Sequence, residues 1–167
     1  ADPANPEQVG AMEPDERFRS NTIVTDGDTV FVTGGRGLAS YDFSDPDNPV
    51  LLGEQRLPSR ASGGCVIGDR LYVGVTQDAS RRKYAIAVYD ISDPAAPTRK
   101  RMVSAPHTLW ALYAFGEDQL LASFGAGPES RRDRSINGHI GLYGLDTPSK
   151  PELIQQWPDS GGRASAK

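Results

Sequence analysis

Apolar residues in this chain fall in short alternating runs, each bounded by glycine- or proline-rich clusters. Three of the runs follow a Gly-acid turn: Gly27-Asp28 before Val30-Phe31-Val32, Gly68-Asp69 before Leu71-Tyr72-Val73, and Gly116-Glu117-Asp118 before Leu120-Leu121. Period-two alternation of β-branched, aliphatic and aromatic residues between turn formers predicts strands. Further along each unit a second run ends in Tyr41-Asp42-Phe43, Tyr89-Asp90-Ile91 or Tyr143-Gly144-Leu145. A proline turn follows, as Asp45-Pro46-Asp47-Asn48-Pro49, Asp93-Pro94-Ala95-Ala96-Pro97 and, more loosely, Thr147-Pro148-Ser149-Lys150-Pro151. Each unit thus reads strand, tight Gly turn, strand, variable loop, strand, proline turn, strand.

A fourth proline turn, Asp2-Pro3-Ala4-Asn5-Pro6, opens the chain. The leading prolines Pro3, Pro46, Pro94 and Pro148 are separated by 43, 48 and 54 residues. Four-stranded propeller blades repeat at about 40–50 residues, so the expected fold is an all-β β-propeller. It comprises about three four-stranded antiparallel blades and one extra outer strand, a partial propeller. The blades are expected at 20–60, 61–106 and 107–159, with an outer strand and linker over 1–19 and a tail over 160–167. The competing architecture is a β-sandwich, which needs no fixed phase between Gly-acid and proline turns.

Composition supports the turn-rich reading, with 18 Gly, 13 Pro and 37% hydrophobic residues in 167. A net charge of −4 is mild and argues neither for a membrane nor for nucleic acid, which is not the expected partner. One cysteine, Cys65, leaves no internal disulfide. No apolar run approaches the roughly 20 residues of a membrane-spanning helix.

The stretch Tyr41-Asp42-Phe43-Ser44-Asp45-Pro46 with Pro49-Val50-Leu51-Leu52-Gly53, and Val88-Tyr89-Asp90-Ile91-Ser92-Asp93-Pro94, resembles the LVIVD repeat. The resemblance runs from residue 2 to about 157 and loosens in the third unit, where Asp146-Thr147-Pro148 replaces Ser-Asp-Pro. It implies propeller blades in an exported protein, periplasmic, extracellular or at the cell surface. Its motif is structural, so no catalytic residue is carried over.

Three blades cannot close a ring of about four to eight, and each blade buries its apolar face only against neighbours. The expected partners are therefore the remaining blades of the same propeller, on this or another polypeptide, or a second copy.

With strands lettered A to D outward from the axis, A–B and C–D turns share one end and D–A and B–C loops the other. The first end carries Asp2, Asp26, Asp28, Asp42, Asp45, Asp47, Asp69, Asp90, Asp93, Glu117, Asp118 and Asp146 against Lys150 alone. The second carries Arg17, Arg19, Arg36, Arg60, Arg81, Arg82, Lys83, Arg131, Arg132 and Arg134 against Glu13, Asp15, Glu16, Asp78, Glu129 and Asp133, with His107 and His139 beside them. Turn aspartates are partly local chemistry, since they bond nearby amides, but arginines in long loops are not. Variable loops on a rigid scaffold are where binding resides, so the basic end is the expected site for an acidic protein or anionic polymer.

Catalytic signals are weak. His107 and His139 near Glu129 and Asp133 lack the short spacing of a zinc pair. Proline turns with capping aspartates explain the acidic clusters without calcium. Cys65 reads as a buried thiol, Gly34-Gly35-Arg36-Gly37 as a hairpin without the Lys of a phosphate loop, and Trp110 and Trp157 as blade packing. No cofactor or metal is expected. The expected function is a non-catalytic interaction scaffold; the alternative is part of a propeller enzyme whose central-channel site needs blades absent from this chain.

Overall fold

The computed structural model describes residues 20–78, 83–125 and 138–157. The expected outer strand over 1–19 and the tail from 160 lie outside them. The described residues form twelve strands in three four-stranded antiparallel sheets, without a helix. The first sheet holds β1 (Ser20–Asp26), β2 (Thr29–Gly34), β3 (Gly37–Asp42) and β4 (Val50–Arg56). The second holds β5 (Arg60–Ile67), β6 (Arg70–Asp78), β7 (Lys83–Asp90) and β8 (Thr98–Ala105). The third holds β9 (Leu109–Phe115), β10 (Gln119–Gly125), β11 (Gly138–Gly144) and β12 (Glu152–Trp157). Within each sheet the strands pair in chain order.

Local chemistry sets the turns. Gly27, Gly68 and Gly116 occupy the same position of the first hairpin in each sheet, with φ of 57°, 56° and 70°. That left-handed backbone favours glycine, which is why the Gly-acid pair recurs. The three proline turns also match: Asn48 N–H donates to Asp45 O at 3.1 Å, Ala96 to Asp93 at 3.1 Å and Lys150 to Thr147 at 2.7 Å.

The sheets stack in series. Phe31 and Leu38 of the first pack with Leu71, Val73, Val75, Ala87 and Tyr89 of the second. On its other side the second sheet offers Cys65, Tyr72, Ile86 and Val88 to Leu109, Leu112, Leu120, Phe124 and Tyr143 of the third. Each sheet therefore has a leading face toward its predecessor and a trailing face toward its successor. The middle sheet is covered on both, so β6 and β7 are buried almost without a break.

Proline turns fasten the junctions. Ser40 Oγ donates to Pro94 O at 2.5 Å and Gln55 Nε2 to Pro97 O at 2.8 Å, so the second sheet's turn is held by the first sheet's trailing face. A Cβ on Gly53 would run into the backbone of Ala95, which makes glycine the seat of that turn. One junction later, Tyr72 Oη donates to Pro148 O at 2.8 Å. The first strands also crowd together, and a Cβ on Gly63 of β5 would lie 2.9 Å from the backbone of β9.

Candidate interaction surface at the loop end

Backbone bonds define two ends of the stack. At one end, Phe43 N–H donates to Asp28 O, Ile91 to Asp69 and Leu145 to Asp118, at 2.8, 3.0 and 2.9 Å. These tie each first hairpin to the entry of its proline turn. At the other end, Leu57 N–H donates to Arg36 O at 2.8 Å and Ala61 N–H to Gly35 O at 2.9 Å. The tip of the β2–β3 hairpin is thereby joined to the link between the first two sheets. In the third sheet the Gly125 and Thr108 backbones meet likewise, at 2.7 Å.

Arg36, Arg60 and Lys83 all stand exposed at this second end, and none of them ion-pairs with another described residue. Arg36 rides the hairpin tip, Arg60 begins β5 and Lys83 begins β7. Arg81, Arg82, Arg131, Arg132 and Arg134 lie outside the described residues.

His107 and His139 are brought together. Their rings stack with centroids 4.8 Å apart and an interplanar angle of 17°, and Phe124 meets His107 edge-on at 6.1 Å. His139 is a buried residue of β11, at 5% exposure, rather than a polar loop histidine. Its Nδ1 lies 3.2 Å from Gln156 Nε2, while its Nε2 is buried without a hydrogen-bond partner. In-plane lone pairs of near-parallel rings run side by side instead of converging on one ion. The pair acts as packing that pins the entry of β9 to β10 and β11.

The acidic end is less acidic than its turns suggest. Arg70 reaches Asp69 at 2.7 Å and Asp90 at 3.2 Å, and Lys100 reaches Asp90 at 3.2 Å. Lys150 is therefore not the sole counter-charge: strand side chains with long stems arrive from β6 and β8. The aspartates are also consumed locally. Asp42 accepts from Ser44 N–H at 2.8 Å, and Asp45 accepts from the Asn48 side-chain amide at 3.0 Å and from Asp47 N–H at 3.1 Å; these turn bonds hold both carboxyls below the usual range.

The first strands line an open trough of about 580 Å³, bordered by Thr22, Ile23, Gly63, Cys65, Trp110 and Tyr113 among others. None of the described residues that line it is charged or a histidine. Burial pushes the Cys65 thiol up to about 12, so it is a neutral packing group at neutral pH.

Both tryptophans depart from the blade-packing expectation. Trp110, at 58% exposure, is a bulge residue of β9 whose indole lies across Gly125, and Trp157 is also exposed. The repeat phase assigns them a face, but no described sheet covers it.

No protein-family model matches the chain, and no curated protein sequence matches it. Among solved structures, Saccharomyces cerevisiae Sqt1 superposes with a TM-score of 0.59 over 83% of this chain, at 9% identity. The chain spans only 35% of Sqt1's length. The computationally designed Ika4 protein superposes with a TM-score of 0.53 over 90% of this chain and 79% of its own, at 11% identity. At these identities the likeness is one of fold alone. The class so defined is an all-β protein of serially stacked four-stranded antiparallel sheets.

Proposed function

We infer that the three sheets are consecutive blades of a β-propeller of the LVIVD-repeat kind, serving as a non-catalytic interaction module in an exported or cell-surface protein. The loop end binds an acidic protein or anionic polymer. One observation carries this reading: the exposed Arg36, Arg60 and Lys83 at the loop end make no ion pair among the described residues, whereas at the opposite end Arg70 and Lys100 pair with Asp69 and Asp90. Unpaired guanidinium and ammonium groups on a rigid frame retain their charge for a partner and steer its approach. The test is retention on an immobilised polyanion at about 0.15 M salt, where screening acts over about 8 Å. Reversing Arg36, Arg60, Arg81, Arg82, Lys83, Arg131, Arg132 and Arg134 to Glu weakens retention at least roughly tenfold with an unchanged β-type circular dichroism spectrum. Undiminished retention sinks the reading.

An enzyme with a channel site is the second reading. The trough along β1, β5 and β9 would form its wall, yet its lining supplies hydroxyls, apolar groups and a neutral thiol. General acid–base work needs a titratable group near the working pH. The lining therefore favours the interaction module.

A further inference from the structure

The corner between the first two sheets carries a cation that loop order leaves out. Arg56 closes β4 opposite Gly37, and after the link Leu57-Pro58-Ser59 comes Arg60, which opens β5. The link is pinned. Leu57 and Ala61 are buried in the core between the two sheets, and Ser59 is buried beside them. The Leu57 N–H donates to Arg36 O at 2.8 Å and the Ala61 N–H to Gly35 O at 2.9 Å. Arg36, Arg56 and Arg60 therefore leave the backbone around one fixed corner, and all three are exposed. None of them ion-pairs with another described residue. Glu54, two residues before Arg56, stands instead near Tyr41, whose hydroxyl is raised above its ordinary value by burial and by that charge.

The fold does not require arginine here. Sheet register equates Arg56 with Ser104 and Ala61 with Leu109, so Thr108 falls where Arg60 stands. The same corner is thus built twice, once with two guanidinium groups and once with two hydroxyls. Neighbouring cations repel each other, and the second corner holds its shape without them.

The donors indicate the ligand. A guanidinium is a rigid planar fork of N–H donors that stays charged at any working pH. One fork satisfies both oxygens of a carboxylate in a bidentate pair. A phosphate or sulfate group turns its oxygens to several sides of a tetrahedron and accepts from several forks at once.

We propose that Arg36, Arg56 and Arg60 form an anion clamp at this corner, which takes a phosphate or sulfate group of an anionic polymer in preference to a carboxylate. The inference rests on the reading of the loop end as an anion-binding surface and narrows it to one chemistry.

Fluorescence anisotropy of labelled polyphosphate, dextran sulfate and polyglutamate, titrated with the whole chain at about 0.15 M salt, tests it. The wild type should bind polyphosphate or dextran sulfate roughly tenfold more tightly than polyglutamate. Which of the two binds better separates phosphate from sulfate. Arg56→Ser with Arg60→Thr installs the second corner's own residues, so the frame is kept and the circular dichroism spectrum should not change. This double variant should lose the preference. Arg56→Lys with Arg60→Lys keeps the charge, removes the forks and should lose it too. A preference that survives in either double variant overturns the clamp, as does a wild type that binds polyglutamate equally well. The anion-binding reading then still stands if reversing the loop-end cations to Glu weakens retention. A wild type that binds none of the three polymers overturns both.

Discussion

In the second sheet, Leu71 and Val73 point into the first sheet while Tyr72, between them, reaches the third. In the third sheet, Leu120 and Ala122 are buried against the second, and Leu121 between them has no described sheet to face. The two strands occupy the same place in the repeat and differ in how many neighbours they have. Burial on both faces turns an alternating strand into a continuous apolar one. The difference teaches that the repeat motif fixes a sheet's shape and face assignment, while stability comes from the junctions, as in any architecture where units contact only their neighbours.

The largest effect should separate the two faces of the third sheet. Leu120→Ala opens a cavity at the second junction, where Leu120 is fully buried, and should destabilise by about 2–5 kcal/mol. Phe115→Ala, on the open face at 52% exposure, should change stability by no more than about 0.5 kcal/mol. Urea unfolding at a dilution where the chain is monomeric compares them. Equal losses would mean that both faces of the third sheet are covered.

A smaller effect sharpens the comparison at a single bond. Tyr72→Phe keeps the ring between the second and third sheets and removes only the donor to Pro148 O. The expected cost is about 0.5–1.5 kcal/mol. Leu121 holds the same register position one sheet later and has no hydroxyl to lose. A Tyr72→Phe chain as stable as wild type would show that the Pro148 turn is held by packing alone.

Much of this fold is legible from spacing. Gly27, Gly68 and Gly116 announce the first hairpins because their backbone requires glycine, and Asp45 and Asp93 announce the proline turns because their carboxylates bond the next amides. The three sheets follow directly from those signals. The candidate site was legible only as far as Arg36, Arg60 and Lys83, whose exposure at one end follows from loop order. The stacking of His107 on His139 depends on the close approach of a link to a distant strand, which no spacing encodes. Trp110 and Trp157 read as packing residues in the sequence, because apolar character gives a side chain's preference and not its neighbour. Arg70 and Lys100 were missed as counter-charges because a strand position says little about where a long, flexible cation ends.

The last contrast lies at the acidic end, between Asp90 and Gly144, which share one register position. Ser92 donates to Asp90 through its hydroxyl at 2.7 Å and its N–H at 3.1 Å, and Lys100 and Arg70 stand at 3.2 Å. These partners, the Ser92 hydroxyl foremost, hold the Asp90 carboxyl well below the ordinary carboxylate range. A folded-state value lower than the unfolded one contributes stability that is complete above the unfolded value of about 3.9. That contribution drains away as pH falls from there toward the folded value. Asp90→Asn should therefore lower stability slightly at pH 7 and flatten the acid limb below about pH 4, read as urea midpoints against pH. Gly144 gives the third sheet no such limb, and an aspartate there would first meet Ile154, whose Cδ1 lies 3.0 Å from the position of the added Cβ. An acid limb unchanged by Asp90→Asn would place the titrating group among the other turn carboxylates, Asp42 and Asp45, that bond their own backbone in the first sheet.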